Sequence, residues 1–328
     1  MKKLSVIASL AGVLSLSFVS GASAQTFGFE FPSMQAQASD SNVPAAATPA
    51  TGTGSDTAKS AVRYSLLFGT IPVTFLFGVK AWDWSGDHDF YSHKEGWYGQ
   101  GTSFGGGDKA GHFFAHYMVQ RGLYNVFDWT ESGGSMKWAY SAGLTMAVGL
   151  FIEVGDGFSS QYGFSYEDLI NDYTGILCGV LLDRFPLLDG FFGISTYWYP
   201  TEAYRSKFHE KSVFKSSLEF VNDYSGWKTM LNFKFAGFEN LGIKVPLALR
   251  LIQLDIGYYT RGFGYYDKGK YASEKRRVVF YGVSVNSAEV LKESWDESSR
   301  GGLYKASHTF LEYYHLPLGY EKANTLAK

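Results

Sequence analysis

The chain has one cysteine, Cys178, among 328 residues, so no intramolecular disulfide can form and stability must come from packing. Charge of one sign is also missing. Lysine and arginine number 29 against 31 acids, for a net charge of −2, and no basic block suggests nucleic acid as a partner. Proline is scarce at 8 residues, and the apolar runs fall short of a comfortable membrane span of about 20 residues. What is abundant is aromatic surface. Phe, Trp and Tyr make up 18% of the chain, a level that suits a large sheet or a protein of the membrane interface.

The N-terminus reads as a secretory signal. Lys2 and Lys3 precede an apolar run from Leu4 to Val19, and Ala22-Ser23-Ala24 supplies the small residues of a cleavage site near Ala24. No cysteine follows, so attachment of a lipid at a lipobox is not expected. The expected location is the periplasm or the outer-membrane region. Residues 25–60 are rich in Ala, Ser, Thr, Gly and Pro and nearly lack large apolar side chains, which predicts a flexible linker.

Residues 61–195 are expected to form a helical domain. Apolar or amphipathic stretches at 62–82, 108–127, 137–154 and 165–185 predict about four helices, with Pro72 breaking or kinking the first. Their lengths leave both a soluble bundle and one set in or against a membrane open. Residues 196–328 change character. "GWKTMLNFKF" alternates, with Trp227, Thr229, Leu231, Phe233 and Phe235 on one face and Lys228, Asn232 and Lys234 on the other. "LRLIQLDIGYYTRG" and "RRVVFYGVSVN" also read as strands. Short helices near 288–295 and 303–314 should cover a sheet of three or four strands, too few for a closed outer-membrane barrel. The fold class is therefore α+β: an N-terminal helical bundle followed by a small antiparallel sheet with covering helices.

Chemistry concentrates in two segments. In "GGGDKAGHFFAHY" (105–117), Lys109, His112 and His116 share one helix face, while Asp108 suits an N-cap. His112 and His116 have the i, i+4 spacing of two metal ligands, but Phe113 stands where H-E-x-x-H needs its glutamate, so the metalloprotease pattern is absent. Gly105-Gly106-Gly107 could offer free N–H groups to an anion, although the P-loop ending is missing. In the second segment, "FIEVGDGFSSQYGFSYEDLINDYTGILCG" (151–179), Glu153 interrupts an apolar helix and demands a partner, with Lys109 or a histidine the obvious one. Asp156, followed by Gly157, simply ends that helix by this reading. Ser165 and Asp168 outline a capping box, and Asn171 or Asp172 continues a stripe that ends in Gly175 and Gly179, where another helix could come close. Asp83, Asp87, His88, Asp89 and His93 read chiefly as a solvated loop.

These same motifs resemble the YfiM-like family of bacterial envelope proteins, catalogued as a domain of unknown function. The pattern D-K-x-x-H, then E-x-x-D-G-F-S, then G-F-S-x-x-D is matched by Asp108, Lys109, His112, Glu153, Asp156, Ser159, Ser165 and Asp168. The family asparagine usually falls where this chain has Asp172, and Asn171 lies one place early. A looser likeness to VanZ-like membrane proteins rests on the same skeleton. Neither resemblance implies a reaction or a cofactor.

The first expectation is a structural or assembly component of the envelope with a buried network of Asp, Lys, His and Glu, and a protein partner on the aromatic β-region. An alternative makes Lys109, His112, Glu153 and Asp168 a catalytic or binding set for an anionic lipid or glycan-lipid head group, with His112 carrying protons, Glu153 orienting it and Lys109 neutralising the anion. A further alternative is a metal-dependent hydrolase.

Overall fold

The computed structural model describes residues 54–84, 89–131, 136–210, 219–264 and 273–327. The expected signal peptide and most of the expected linker lie outside them, as do Asp87 and His88. Four long helices come first: α1 (Gly54–Ala81), α2 (Gly107–Glu131), α3 (Lys137–Asp156) and α4 (Tyr166–Arg184). A short α5 (Pro186–Phe191) leads directly into β1 (Phe192–Trp198). After α6 (Glu202–Glu210) come β2 (Trp227–Lys234), α7 (Leu247–Arg250), β3 (Ile252–Arg261) and β4 (Arg276–Val285). The helices α8 (Ser287–Ser294) and α9 (Gly302–Tyr313) precede the last strand, β5 (Gly319–Thr325). The strands form one antiparallel sheet in the order β1-β2-β3-β4-β5.

The α+β class and the order of its parts agree with the sequence, and two details differ. Helix α1 begins at Gly54, inside the expected linker, and runs through Pro72 without a break. Proline removes one N–H bond to the preceding turn, but packing holds the helix on course: Leu66 is buried with Leu123 and Phe127 of α2 and Leu144 of α3. The sheet has five strands, because β1 follows the helices at once and β5 closes the far edge.

Helices α2 and α4 lie closest, and glycine explains why. A Cβ at Gly175 would sit 2.1 Å from the carbonyl oxygen of Phe113, so the two backbones touch where the glycine stripe of α4 passes α2. Tyr117 and Phe114 of α2, Leu182 of α4, Ile194 of β1 and Tyr313 of α9 then make a core that joins bundle to sheet.

The sheet turns its polar face inward. Ser195, Asn232, Gln253, Asp255 and Ser284 are buried on the side covered by α8 and α9. Four of them bond to one another: Ser195 donates to Asn232 at 2.7 Å, and Asn232 and Gln253 both donate to Asp255 Oδ1, at 2.7 and 3.0 Å. Lys234 pairs with Glu312 of α9, and Lys228 on β2 reaches Glu321 on β5 across two intervening strands, so the sheet curls with this face inside. Leu231, Leu254, Ile256, Tyr281, Val283 and Tyr320 are left exposed on the outer face.

Candidate functional site

The start of α2 is fixed by what packs on its glycines. Gly105 and Gly106 adopt left-handed backbone conformations (φ 65° and 87°), and a Cβ there would strike Phe263 and Tyr98 respectively. The Gly105 N–H donates to Thr102 Oγ1, the Gly107 N–H donates to the Phe104 carbonyl, and Tyr258 donates its hydroxyl to the Gly105 carbonyl. The glycine run is thus a joint between bundle and sheet. Its N–H groups at 105 and 107 are spent on the protein itself, not held for an anion.

Asp108 lies inside the first turn of α2, not at its cap, and turns its carboxylate to Lys109 at 2.7 Å. The Lys109 ammonium also meets Asp168 Oδ1 at 3.0 Å and Glu95. It is almost fully buried, and although burial works against its charge, three carboxylates outweigh this and raise its pKa. Glu95 completes the ring, and sequence reading missed it. It sits in a polar loop without periodicity that β-bridges Ser92 to Phe164 and donates Gly96 N–H to Glu167.

One turn on, His112 Nδ1 lies 2.9 Å from Asp172 Oδ1, and His116 Nδ1 lies 2.7 Å from the same oxygen. A carboxylate only accepts, so the proton between His112 and Asp172 belongs to Nδ1. His112 Nε2 stands 3.9 Å from Asp168 Oδ1, and Glu153 Oε1 is 4.0 Å from His112 Nδ1. The imidazole of His112 is the most open part of the cluster, with its side chain 26% exposed against 2% for Glu153.

Helices α3 and α4 meet through a divided cap. Ser165 is the N-cap of α4 and accepts the Asp168 N–H at 3.2 Å. In a capping box the acid at N3 would return to the cap N–H. Here Glu153 Oε2 from α3 accepts the Ser165 N–H at 3.0 Å, and Asp168 is freed to face Lys109. Asp156 accepts the Trp84 indole N–H at 2.7 Å, a partner the sequence did not suggest. Asn171 stands at the margin, bonded to Tyr98 Oη and the Glu167 carbonyl. Ser159 is buried and accepts from Gln161 N. His93 is exposed beside the loop bridge, and Asp83 contacts Ser160, so neither of these joins the cluster's hydrogen bonds.

Lys109, His112, Glu153 and Asp168 therefore come together, with Asp108, His116 and Asp172 beside them. Electrostatics follows from six carboxyls, Glu95, Asp108, Glu153, Asp156, Asp168 and Asp172, around one ammonium and two imidazoles. Burial, reinforced by Asp168 and Asp172, pushes the Glu153 pKa up to about 9 against the pull of His112. Burial and Asp168 push Glu95 to about 8, and burial brings Asp156 to about 7. Asp172 and Asp168 go the other way: neighbouring His112, helped by His116 in one case and Lys109 in the other, outweighs burial and lowers them. Burial alone would lower His112, but Asp168, Asp172 and Glu153 hold it well above its ordinary value.

No curated protein matches this chain, and no solved structure does. Residues 94–184, which carry every member of the cluster from Glu95 to Asp172 and stop before β1, match the family model described as "Predicted periplasmic lipoprotein (DUF2279)", and that match supports an exported protein of the cell envelope.

Proposed function

We propose that the protein is a membrane-associated structural or assembly component of the envelope, a rigid helical scaffold pinned from within by the ionic cluster and held against lipid from without. The apolar belt carries this reading. On α1, Phe68 is 73% and Leu76 61% exposed, and Phe75 and Tyr64 stand open beside them. Leu150 of α3 and Leu177 of α4 are exposed as well. Against the expectation that the apolar runs fall short of a span, two helical segments, Asp56–Lys80 and Lys137–Asp156, are long and apolar enough to cross a membrane by length and composition. Large apolar side chains left open along a helix in this number suit a lipid or protein contact. The outer face of the sheet, with Leu231, Ile256 and Tyr281, offers a further surface for a protein partner.

The ionic cluster supports the scaffold role. It ties α2, α3 and α4 with buried charges whose partners are fixed, and such networks specify register. The same geometry argues against an anionic head group at Lys109, whose ammonium is already taken by three carboxylates. The narrower YfiM-like and VanZ-like likenesses fit this reading through the D-K-x-x-H skeleton and add no reaction to it.

Flotation with phosphatidylethanolamine–phosphatidylglycerol vesicles tests the proposal. The purified chain should rise with the vesicles, and the double variant Phe68→Asp, Leu76→Asp should stay behind with its circular dichroism unchanged. Equal partitioning of both proteins into the vesicle-free fraction would overturn it.

A further inference from the structure

Three groups of ligand-type side chains converge in the cluster, each offering atoms within 4.8 Å of one another: Glu95, Asp108 and Asp168; His112, His116 and Asp172; and His112, Glu153 and Asp168. They are not equivalent. The first surrounds the Lys109 ammonium, which already serves as its cation. The second is closed by direct contacts of 2.9 and 2.7 Å from the two imidazoles to one oxygen of Asp172. The third has no direct contact between its own members, although Asp168 Oδ1 also meets Lys109 at 3.0 Å. His112 Nε2 and Asp168 Oδ1 are 3.9 Å apart, too far for a hydrogen bond, and Glu153 belongs to the same group within 4.8 Å. Ligand atoms that share a cation through bonds of about 2.0–2.2 Å stand roughly 3–4 Å from one another.

Two further observations point to the same place. Asp172 Oδ2 is buried without a donor, and buried Asp168 Oδ1 has the Lys109 ammonium at 3.0 Å as its counter-charge. Buried carboxylate oxygens are ordinarily satisfied. Second, His112 is held as a metal ligand is held. Its Nδ1 faces Asp172, which His116 supports in turn, so Nε2 is left on the side of Asp168. A ligating histidine commonly gives its other N–H to a carboxylate in this way.

We propose that His112, Glu153 and Asp168 bind a divalent first-row transition-metal ion, of the zinc or manganese class, with Asp172 orienting His112 from behind. One imidazole and two carboxylates suit such an ion. Because His112 borders solvent while Glu153 and Asp168 do not, the three-ligand set has one open side. Three protein ligands with an open position are the pattern of sites that keep a water on the metal. This inference is independent of the membrane reading and can stand or fall without it.

The test uses the full, untagged chain stripped with EDTA and dialysed. Co²⁺ is titrated while its visible d–d bands are recorded, and Zn²⁺ is titrated by calorimetry. The expected result is saturation at one ion per chain. Asp172→Asn should weaken binding about ten- to a hundredfold, because it disturbs the group that orients the ligand. His112→Ala should abolish both signals. If circular dichroism shows that variant unfolded, the shape-conserving Glu153→Gln and Asp168→Asn decide instead, and both should lose the Co²⁺ bands. His315→Ala, on the sheet side, should bind as the parent does. A stripped parent that gives neither Co²⁺ bands nor Zn²⁺ heat overturns the proposal, as does undiminished binding by the folded variants. Vesicle flotation of the stripped protein, run in parallel, reports on the membrane reading alone.

Discussion

Glu153 Oε2 accepts the backbone N–H of Ser165 at 3.0 Å, so the end of α3 caps the start of α4. Replacing Glu153 by alanine leaves that N–H buried and unmatched, a loss of about 1–3 kcal/mol. Glu153→Gln keeps an acceptor and should cost less than half as much. Urea unfolding in excess EDTA, which removes any contribution from bound metal, ranks the two. Equal losses would show that the cap contact contributes nothing.

Lys109 is the one ammonium in the ring, and three carboxylates lose their counter-charge with it. Lys109→Met should destabilise by about 3–5 kcal/mol, the range for breaking a buried pair from one side. Adding Glu95→Gln and Asp108→Asn to that variant removes two of the carboxyl groups left without the ammonium and should restore part of the loss. Denaturant midpoints of the single and triple variants check this, and a triple variant no better than the single one contradicts it.

Gly175 and Gly179 distinguish two kinds of close approach. A methyl at 175 meets the Phe113 carbonyl, which is backbone and cannot yield, whereas one at 179 meets the end of the Gln120 side chain. Gly175→Ala should lower stability by about 1–3 kcal/mol or more through overpacking. Gly179→Ala should cost less, because Gln120 can move. Thermal melts of the two variants should separate clearly, with 175 the lower.

The metal-free protein should lose stability from mildly acid to alkaline pH. His112, whose folded pKa is raised, contributes stability that is complete below its unfolded value of about 6.5 and is lost as pH climbs through the folded one. Glu95 and Glu153 act in the same direction: above about pH 4.5 the unfolded chain has released protons that the folded carboxyls keep until about 8 and about 9. Asp168 and Asp172, with lowered values, give stability that is present above about pH 4 and lost in stronger acid. Unfolding free energies measured in EDTA should therefore peak near about pH 5 and decline toward pH 9. A flat profile across that range would contradict the charge assignment.

Much of the cluster was legible because helices repeat. Lys109, His112 and His116 share a face by spacing alone, an acid inside an apolar helix required a partner, and the glycines after Asp172 signalled a backbone contact that Gly175 makes. Glu95 was not legible. Its loop has no period, and only the tertiary bridge to Phe164 carries it to Lys109. Strand β5, "GYEKANT", is exposed along its whole length and so has no buried face to pattern it, which hid the fifth strand. In β2 the alternation was plain, but alternation does not reveal which side is covered. The partners of Asn232 and Lys234, Asp255 and Glu312, lie far along the chain, and only they make a polar interior affordable in free energy.

Tyr258 of β3 grips the carbonyl of Gly105, while Phe263 occupies the space that a side chain at Gly105 would need. The turn they clamp is the one that points Lys109 into its ring of acids. The central strand is thus fastened to the chain four residues before the ammonium, so one small turn serves both as the seam between sheet and bundle and as the seat of the buried charge.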